Sequence, residues 1–427
     1  MKRRLSILFV SLLMLVSLCA CGGKAEEETN NELDTNYSTT IYVCGSWGNF
    51  EALDAAALLF NEKYPNIEIV YNSLDQYTND LQNRFVSGEN IDIYTIDWLL
   101  SNDDRYTYFW EHALDLNGLL NFDNISSEYL QTGVIDGKQI AVPIYASMYG
   151  LMVNEDLLAK YDLEVPTNYV EFKDCLDTLK GNGLYPILEA NKEYIAYVLL
   201  SEVFLEAKNS RDVVKYVDNL LEGKDETGVI ENITEKLNEL KTYIHPDSET
   251  LEDSYNSTIL RFFEGDIAFV PYYTSYFSGT KKREAKSEAF SANPFTYSLI
   301  ASPCDEGYVR VNQQLSSFYM AVYDDIDEEK LPYVLEFLQF LIDDEGSETL
   351  SEVKNMPTAN INVGDNNFPY LKDLSADQIV YAGINNDNDA LLKLNQFANA
   401  FSLSYVDLED DLTVEELMSS TVKRLSE

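Results

Sequence analysis

Two segments of the 427-residue sequence combine an indole with a hydrogen-bonding side chain: Gly45-Ser46-Trp47-Gly48-Asn49, and the adjacent pair Asp97 and Trp98. A flat aromatic face beside an amide or carboxylate is equipment for recognition. The ring covers an apolar or cationic face, and the polar group orders hydroxyls or charges. Equipment for covalent chemistry is missing. No G-x-S-x-G, HExxH, phosphate-cradling glycine loop or EF-hand pattern occurs, and the two histidines leave little room for His-rich metal centres or His-dependent triads. The 73 Asp+Glu contain carboxylates in plenty for a glycoside hydrolase, but abundance marks no pair. With 30 Lys+Arg the formal charge is −43, which sets the chain against nucleic-acid backbones and anionic membrane surfaces. A hydrophobic content of 45% with 20 Phe and 30 Tyr supports a large core in two or three domains.

The elements that must position those loops are legible in the apolar periodicity. Thr39 to Cys44 reads as a strand, and Glu51 to Tyr64 as a helix with Leu53, Ala56, Ala57 and Phe60 on one side. Ile67 to Tyr71 is a second strand, Tyr77 to Val86 a helix closed by Gly88, and Ile91 to Thr95 a third strand. This alternation gives an α/β class with a mostly parallel sheet flanked by helices. Ligands of such sheets gather beyond the carboxyl ends of the strands, where Trp47 and Asp97-Trp98 fall. Further along, Asp136-Gly137 marks a turn, and Ile140 to Pro143 and Leu151 to Asn154 read as short strands. Asn168 with Glu171 forms a helix-capping arrangement, and helices follow Ser375 and Thr413. Leu331, Val334, Leu335, Leu338 and Leu341 make the core stripe of a helix within Asp327 to Asp343.

Residues 1–20 read as an export signal: Lys2, Arg3 and Arg4 precede an apolar run from Leu5 to Leu18 that is too short to span a bilayer. Its ending, Leu18-Cys19-Ala20-Cys21, is similar to the bacterial lipobox, which makes Cys21 the lipidated first residue of the mature chain. Cleavage of an ordinary signal near Ala20 is the other reading. Residues 21–38 are acidic and polar, a flexible tether whose ends lie on the order of 20 to 25 Å apart. The protein is therefore expected on the extracellular face of the bacterial cytoplasmic membrane, lipid-anchored. Cys44, Cys175 and Cys304 fit buried free thiols better than a disulfide framework.

Six phrases in order resemble the extracellular solute-binding proteins of ABC importers, in particular the carbohydrate-binding branch of the maltose-binding type. They are Phe60 to Ile67, Gly88 to Ile93, Asp136 to Pro143, Val153 to Leu157, Pro166 to Phe172 and Phe263 to Phe269. Ile91 stands where the family usually has proline, Tyr169 replaces a common tryptophan, and Pro271 to Tyr276 replaces a Gly-x-Trp segment. The resemblance implies a two-lobed periplasmic-binding-protein-like fold of type II, each lobe a mostly parallel sheet flanked by helices, with a ligand cleft between the lobes. Crossovers near Ser147, Ser316 and Asn366 would divide the chain into lobe 1, 39–147 plus 317–366, and lobe 2, 148–316 plus 367–427.

A sugar presents C–H faces and a ring of hydroxyls, so its site needs aromatic platforms with amides or carboxylates between them. Under the resemblance the ligand-binding residues are Trp47, Asn49, Asp97, Trp98, Tyr145, Ser147, Tyr194, Tyr272, Tyr273 and Tyr276. The implied function is capture of a sugar or oligosaccharide without chemistry, and its delivery to the permease subunits of an ABC importer. The protein would act as a monomer, with no cofactor and no metal. Asp97 beside Trp98 fits a polyamine as well, a peptide ligand stays open, and so do a secreted glycan-active enzyme and a sensory or adhesive lipoprotein.

Overall fold

The computed structural model describes residues 33–96, 104–189, 193–251, 255–273, 277–305, 307–309, 318–363, 388–408 and 412–426. The export signal, Cys21, Asp97, Trp98, Tyr276, Ser316, Asn366 and the helix start at Ser375 lie outside the described residues.

Among the described residues the strands are β1 (Thr39–Gly45), β2 (Ile67–Ser73), β3 (Ile93–Ile96), β4 (Val134–Ile135), β5 (Lys138–Gln139), β6 (Val142–Pro143), β7 (Tyr149–Asn154), β8 (Phe269–Tyr273), β9 (Tyr297–Cys304), β10 (Gly307–Val309) and β11 (Tyr319–Val322). One sheet runs β2-β1-β3-β11-β6 and another β10-β9-β7-β8, with β4 and β5 forming a small hairpin about Asp136 and Gly137, both at positive φ.

The first sheet carries a core on each face, and the two-residue period of its strands decides which side chain goes where. Ile93 of β3 with Met320 and Val322 of β11 joins Ile41, Val43, Leu53 and Phe60. Tyr94 and Ile96, with Tyr319 and Ala321, join Leu81, Phe85 and Phe109 on the other face. The helix Leu331–Ile342 closes the first of these, with Val334, Leu338 and Leu341 fully buried and Leu331 and Leu335 at its margin. Asp92 fastens the sheet: one carboxylate oxygen accepts from the Tyr42 N–H at 2.7 Å and from Lys330 Nζ at 2.6 Å. The phrase Gly88 to Ile93 is thus structural, with Gly88 ending its helix at φ +68°.

Among the described strands the first sheet is mostly parallel, with β2, β1, β3 and β6 running one way and β11 reversed, whereas the second sheet is antiparallel. β1 pairs parallel with β2 and β3, which helices link, but β11 lies antiparallel to both β3 and β6. In the second sheet β7 is antiparallel to both β8 and β9. β8 and β9, joined through helices, therefore run the same way with β7 inserted between them against their direction. The inserted strand in each sheet follows chain that comes from the other core, and this is where the α/β alternation breaks. Gly150 permits the insertion, because a Cβ there would collide with the Ile300 carbonyl.

The second sheet's core holds the helix Glu193–Asn209, which packs against β9 and against the helices Val229–Leu240 and Asn388–Asp407. Caps form where the sequence places them. The Asn168 side chain accepts from Glu171 N at 2.9 Å, and the Glu171 carboxylate reaches back to the Thr167 N–H at 2.8 Å. At the helix Val414–Leu425 the Thr413 hydroxyl accepts from the Glu416 N–H at 3.2 Å and donates to the Glu416 carboxylate at 2.7 Å. Cys44, Cys175 and Cys304 are buried free thiols, and burial pushes the first two up to about 11. The packed body starts before residue 39, since Leu33 and Tyr37 dock on the first core and Tyr37 stacks on Tyr333 at 4.2 Å. The tether expected over 21–38 thus loses its last residues to an apolar contact that composition averages away.

Candidate functional site: aromatic clusters at the crossover

The loop after β1 is held by its own strand neighbours. A Cβ on Gly45 would collide with the Tyr71 hydroxyl, and that hydroxyl donates to the Trp47 carbonyl at 2.9 Å. The half-buried Trp47 indole then lies 4.2 Å from the Phe318 ring and 5.8 Å from Tyr145, with Phe50 edge-on at 5.1 Å. Such pairs fix a flat ring without a covalent tie. Asn49 is exposed and donates to Glu51 Oε1 at 3.2 Å, at the start of the next helix.

The chain passes from one core to the other between Ala146 and Met148, with Ser147 buried at the passage. Tyr145 is 0% exposed and its hydroxyl donates to the Leu350 carbonyl at 3.2 Å. It supports Trp47 from within the core and presents no open surface in this arrangement. Its placement follows from the antiparallel bridge Tyr145 to Thr358, which fixes the direction of a side chain that a two-residue strand leaves open.

Beyond the passage a second aromatic cluster, buried in this arrangement as Tyr145 is, forms around Tyr149. Its ring stacks on Tyr197 at 4.5 Å and 8°, and meets Tyr273 at 4.8 Å and Tyr194 at 5.5 Å. Tyr197 donates to Asn399 Oδ1 at 3.0 Å, and burial pushes its phenol up to about 12, so it acts as a neutral hydroxyl. Tyr272 projects to the opposite side of β8, where its hydroxyl forms a hydrogen bond with the Thr280 hydroxyl at 2.5 Å. Of the expected residues, Trp47 and Asn49 stand at one side of the passage and Tyr194 and Tyr273 at the other, while Tyr272 leaves the group. Asp97, Trp98 and Tyr276 lie outside the described residues.

Sequence reasoning missed Tyr149, Tyr197, Phe318 and Lys354. Tyr149 lies two residues beyond Ser147, and Tyr197 three residues beyond Tyr194 on one helix, so spacing carried a signal for both. Nothing local marks Lys354, whose Nζ lies 4.1 Å from the Trp47 ring centroid. Burial first, and then the neighbouring Lys282, hold its ammonium below the ordinary lysine pKa. Glu51 of the first lobe lies 3.8 Å from Lys282 of the second. Among the described residues no group of three or more His, Cys, Asp or Glu is placed to hold a metal ion, and no helix is long and apolar enough to cross a membrane. A cavity of about 710 Å³ opens elsewhere on the second lobe, lined by Glu189, His245, Ser248 and Tyr405.

Two α/β lobes joined at a crossover match the type II solute-binding architecture. Residues 45–348 match the family of bacterial extracellular solute-binding proteins, and the chain belongs to that family. An uncharacterised ABC transporter extracellular-binding protein of Pyrococcus horikoshii is 23% identical over 269 residues, 58% of this chain, and the chain spans 58% of that relative's length. The fold is shared with the apo form of RafE from Streptococcus pneumoniae at TM-score 0.69 and 16% identity, covering 91% of this chain and 98% of that one. RafE in complex with raffinose gives TM-score 0.63 at 16% identity, covering 91% and 100%. The binding protein MsmE of Bacillus subtilis, in an open conformation, gives TM-score 0.64 at 15% identity, covering 90% and 96%.

Proposed function

We propose that the protein captures a sugar or oligosaccharide between its lobes and delivers it to the permease of an ABC importer, held at the extracellular face of the membrane by a lipid on Cys21. The lobes would be 39–147 plus 317–366 and 148–316 plus 367–427. The observation that carries the reading is the placement of half-buried Trp47 on one side of the crossover and the Tyr149 cluster on the other. A solute seated there touches both lobes only when they close, so binding and closure reinforce each other. Flat rings suit the C–H faces of a pyranose, and neutral phenols suit its hydroxyls. One structural relative, RafE, is known in complex with raffinose, and another is a chitin oligosaccharide binding protein, which supports a carbohydrate for this chain too.

No step of this mechanism makes or breaks a bond, and the energy for transport comes from a separate ATP-hydrolysing subunit. The test is thermal unfolding with a panel of mono- and oligosaccharides, spermidine and short peptides. A ligand of the folded state alone raises stability by about 2.7 kcal/mol at a hundredfold excess over Kd. A selective rise with one glycan family and no product formed supports the reading. A rise with spermidine or a peptide alone keeps the fold and removes the sugar. Anchoring is tested separately: Cys21→Ser should move the protein from the membrane fraction to the medium.

A further inference from the structure

Lys354 is out of keeping with the other shielded lysines of this chain. Lys173, Lys236 and Lys330 are also largely withdrawn from water, and each holds a carboxylate, at 2.6 Å from Asp177, Glu202 and Asp92 respectively. Lys281 is paired with Glu284. Lys354 has no carboxylate within ion-pair distance among the described residues, and its ammonium rests on the Trp47 ring instead. Carboxylates are not scarce, since the chain has 73 Asp+Glu against 30 Lys+Arg. The carboxylate that acts on Lys354 is Glu51, and Glu51 is already engaged by Lys282 at 3.8 Å. Two ammonium groups therefore stand near one carboxylate, which is paired with Lys282, at the place where the two lobes approach each other. Among the described residues the local balance is positive within a strongly acidic protein.

On the reading that this cleft takes a saccharide, we propose that the saccharide is an acidic one, whose anionic group is received by Lys354 and Lys282 beside Trp47. For a shielded cation without a counter-ion, a ring face and helix carbonyls replace only part of the lost hydration, and an anion arriving with the ligand supplies the charge-assisted partner. Lys354 ends the helix Asp344–Lys354, whose terminal carbonyls favour a cation, so the charge is held in place before the ligand comes. Lysine is a compact point charge that does not impose the planar geometry of an arginine fork, so carboxylate and sulfate are both suited. Lys282 belongs to the helix Phe277–Glu284 of the second lobe and Lys354 to the first, so one anion between them ties the lobes together. The acidity of the whole chain does not forbid this. Surface charges farther than about 8 Å are largely screened at physiological ionic strength, and an oligosaccharide with one or a few charges is not a polyanion. The same two ammonium groups repel a polyamine.

The experiment is isothermal titration of the full-length protein with trigalacturonate, a sulfated disaccharide, neutral maltotriose and raffinose, and spermidine. At least one acidic sugar should bind roughly tenfold or more tightly than the neutral ones, the size a charge-assisted hydrogen bond brings. The carboxylated and sulfated arms then say which anion is used. Lys354→Met should abolish the preference, Lys354→Arg should keep most of it, and Lys282→Met serves should the first variant fail to fold. Neutral sugars binding as tightly as acidic ones, or a preference that survives Lys354→Met, overturns the proposal and leaves the sugar reading intact. Spermidine binding with no saccharide of either kind removes both.

Discussion

Glu51, in the first turn of the helix behind the Trp47 loop, faces Lys282 of the other lobe at 3.8 Å, and this ion pair bridges two separate cores. Both side chains are more than half exposed, so the pair is weak on its own, about 0.2 to 1 kcal/mol. Its place gives it more meaning than its strength, because it exists only while the lobes are close. Glu51→Gln should change the urea-unfolding free energy by less than about 1 kcal/mol. The same substitution should lower the closed population, read as interlobe energy transfer between dyes without ligand, by no more than roughly fivefold. An undiminished closed population at low salt would remove the pair as a latch.

Trp47 is a support and a platform together, so its removal should be felt twice. Trp47→Ala should weaken the bound saccharide roughly tenfold or more in titration calorimetry, and should also lower stability through lost contact with Phe318 and Phe50. The intermediate Trp47→Phe separates the two effects. It should restore most of the stability while leaving affinity reduced. Unchanged affinity in both variants would place the solute elsewhere.

Lys236 and Glu202 form a pair shielded on both sides, at 2.6 Å, with Lys236 also bound to Asp305 at 2.8 Å. Burial raises the Glu202 carboxyl above its ordinary value, against the lowering effect of Lys236. Lys236→Met leaves that carboxylate buried without a counter-charge, at a cost of about 3 to 5 kcal/mol at pH 7. Adding Glu202→Leu should recover most of the loss, and a double-mutant cycle by urea unfolding measures the difference. A group with a raised folded pKa favours the folded state at low pH, and that advantage is lost as pH rises through the folded value. The Lys236→Met protein should therefore lose less stability than wild type on acidification toward pH about 4.3, the ordinary glutamate value. A parallel pH dependence in the two proteins would contradict this.

The first three strands, their helices and the caps at Asn168 and Thr413 were legible because each is decided within a dozen residues by period, capping side chain or terminal glycine. The sense of the inserted strands was not. Gly150 opposite Ala301 and Met320 opposite Thr95 join distant stretches of chain, and local periodicity is the same for a parallel strand and for one inserted against its neighbours. The site divides in the same way. Trp47 announced itself by its glycine-flanked loop, whereas Lys354 and Phe318 reach it only through the tertiary fold. Tyr272, beside Tyr273 on a strand, points to the opposite face, so only one of the two joins Tyr149.

Glu171 offers a test of the acid side of the stability curve. Its carboxylate accepts from the Thr167 N–H and hydroxyl, both at 2.8 Å, and the backbone bond chiefly holds it below the ordinary glutamate pKa. A depressed folded pKa contributes stability that is present above the unfolded value and is lost as pH falls through the folded one. Glu171→Gln should therefore flatten the fall in urea-unfolding midpoint below pH about 4.3, while Asn168→Ala, which removes the partner cap, should cost about 1 kcal/mol at every pH. The slope does not vanish in either variant, because Asp177 and Asp266 are also held low, by Lys173 and Arg261. Identical acid slopes in wild type and Glu171→Gln would show that the exposed carboxylate gains nothing from its two donors. The cap would then rest on Asn168 alone.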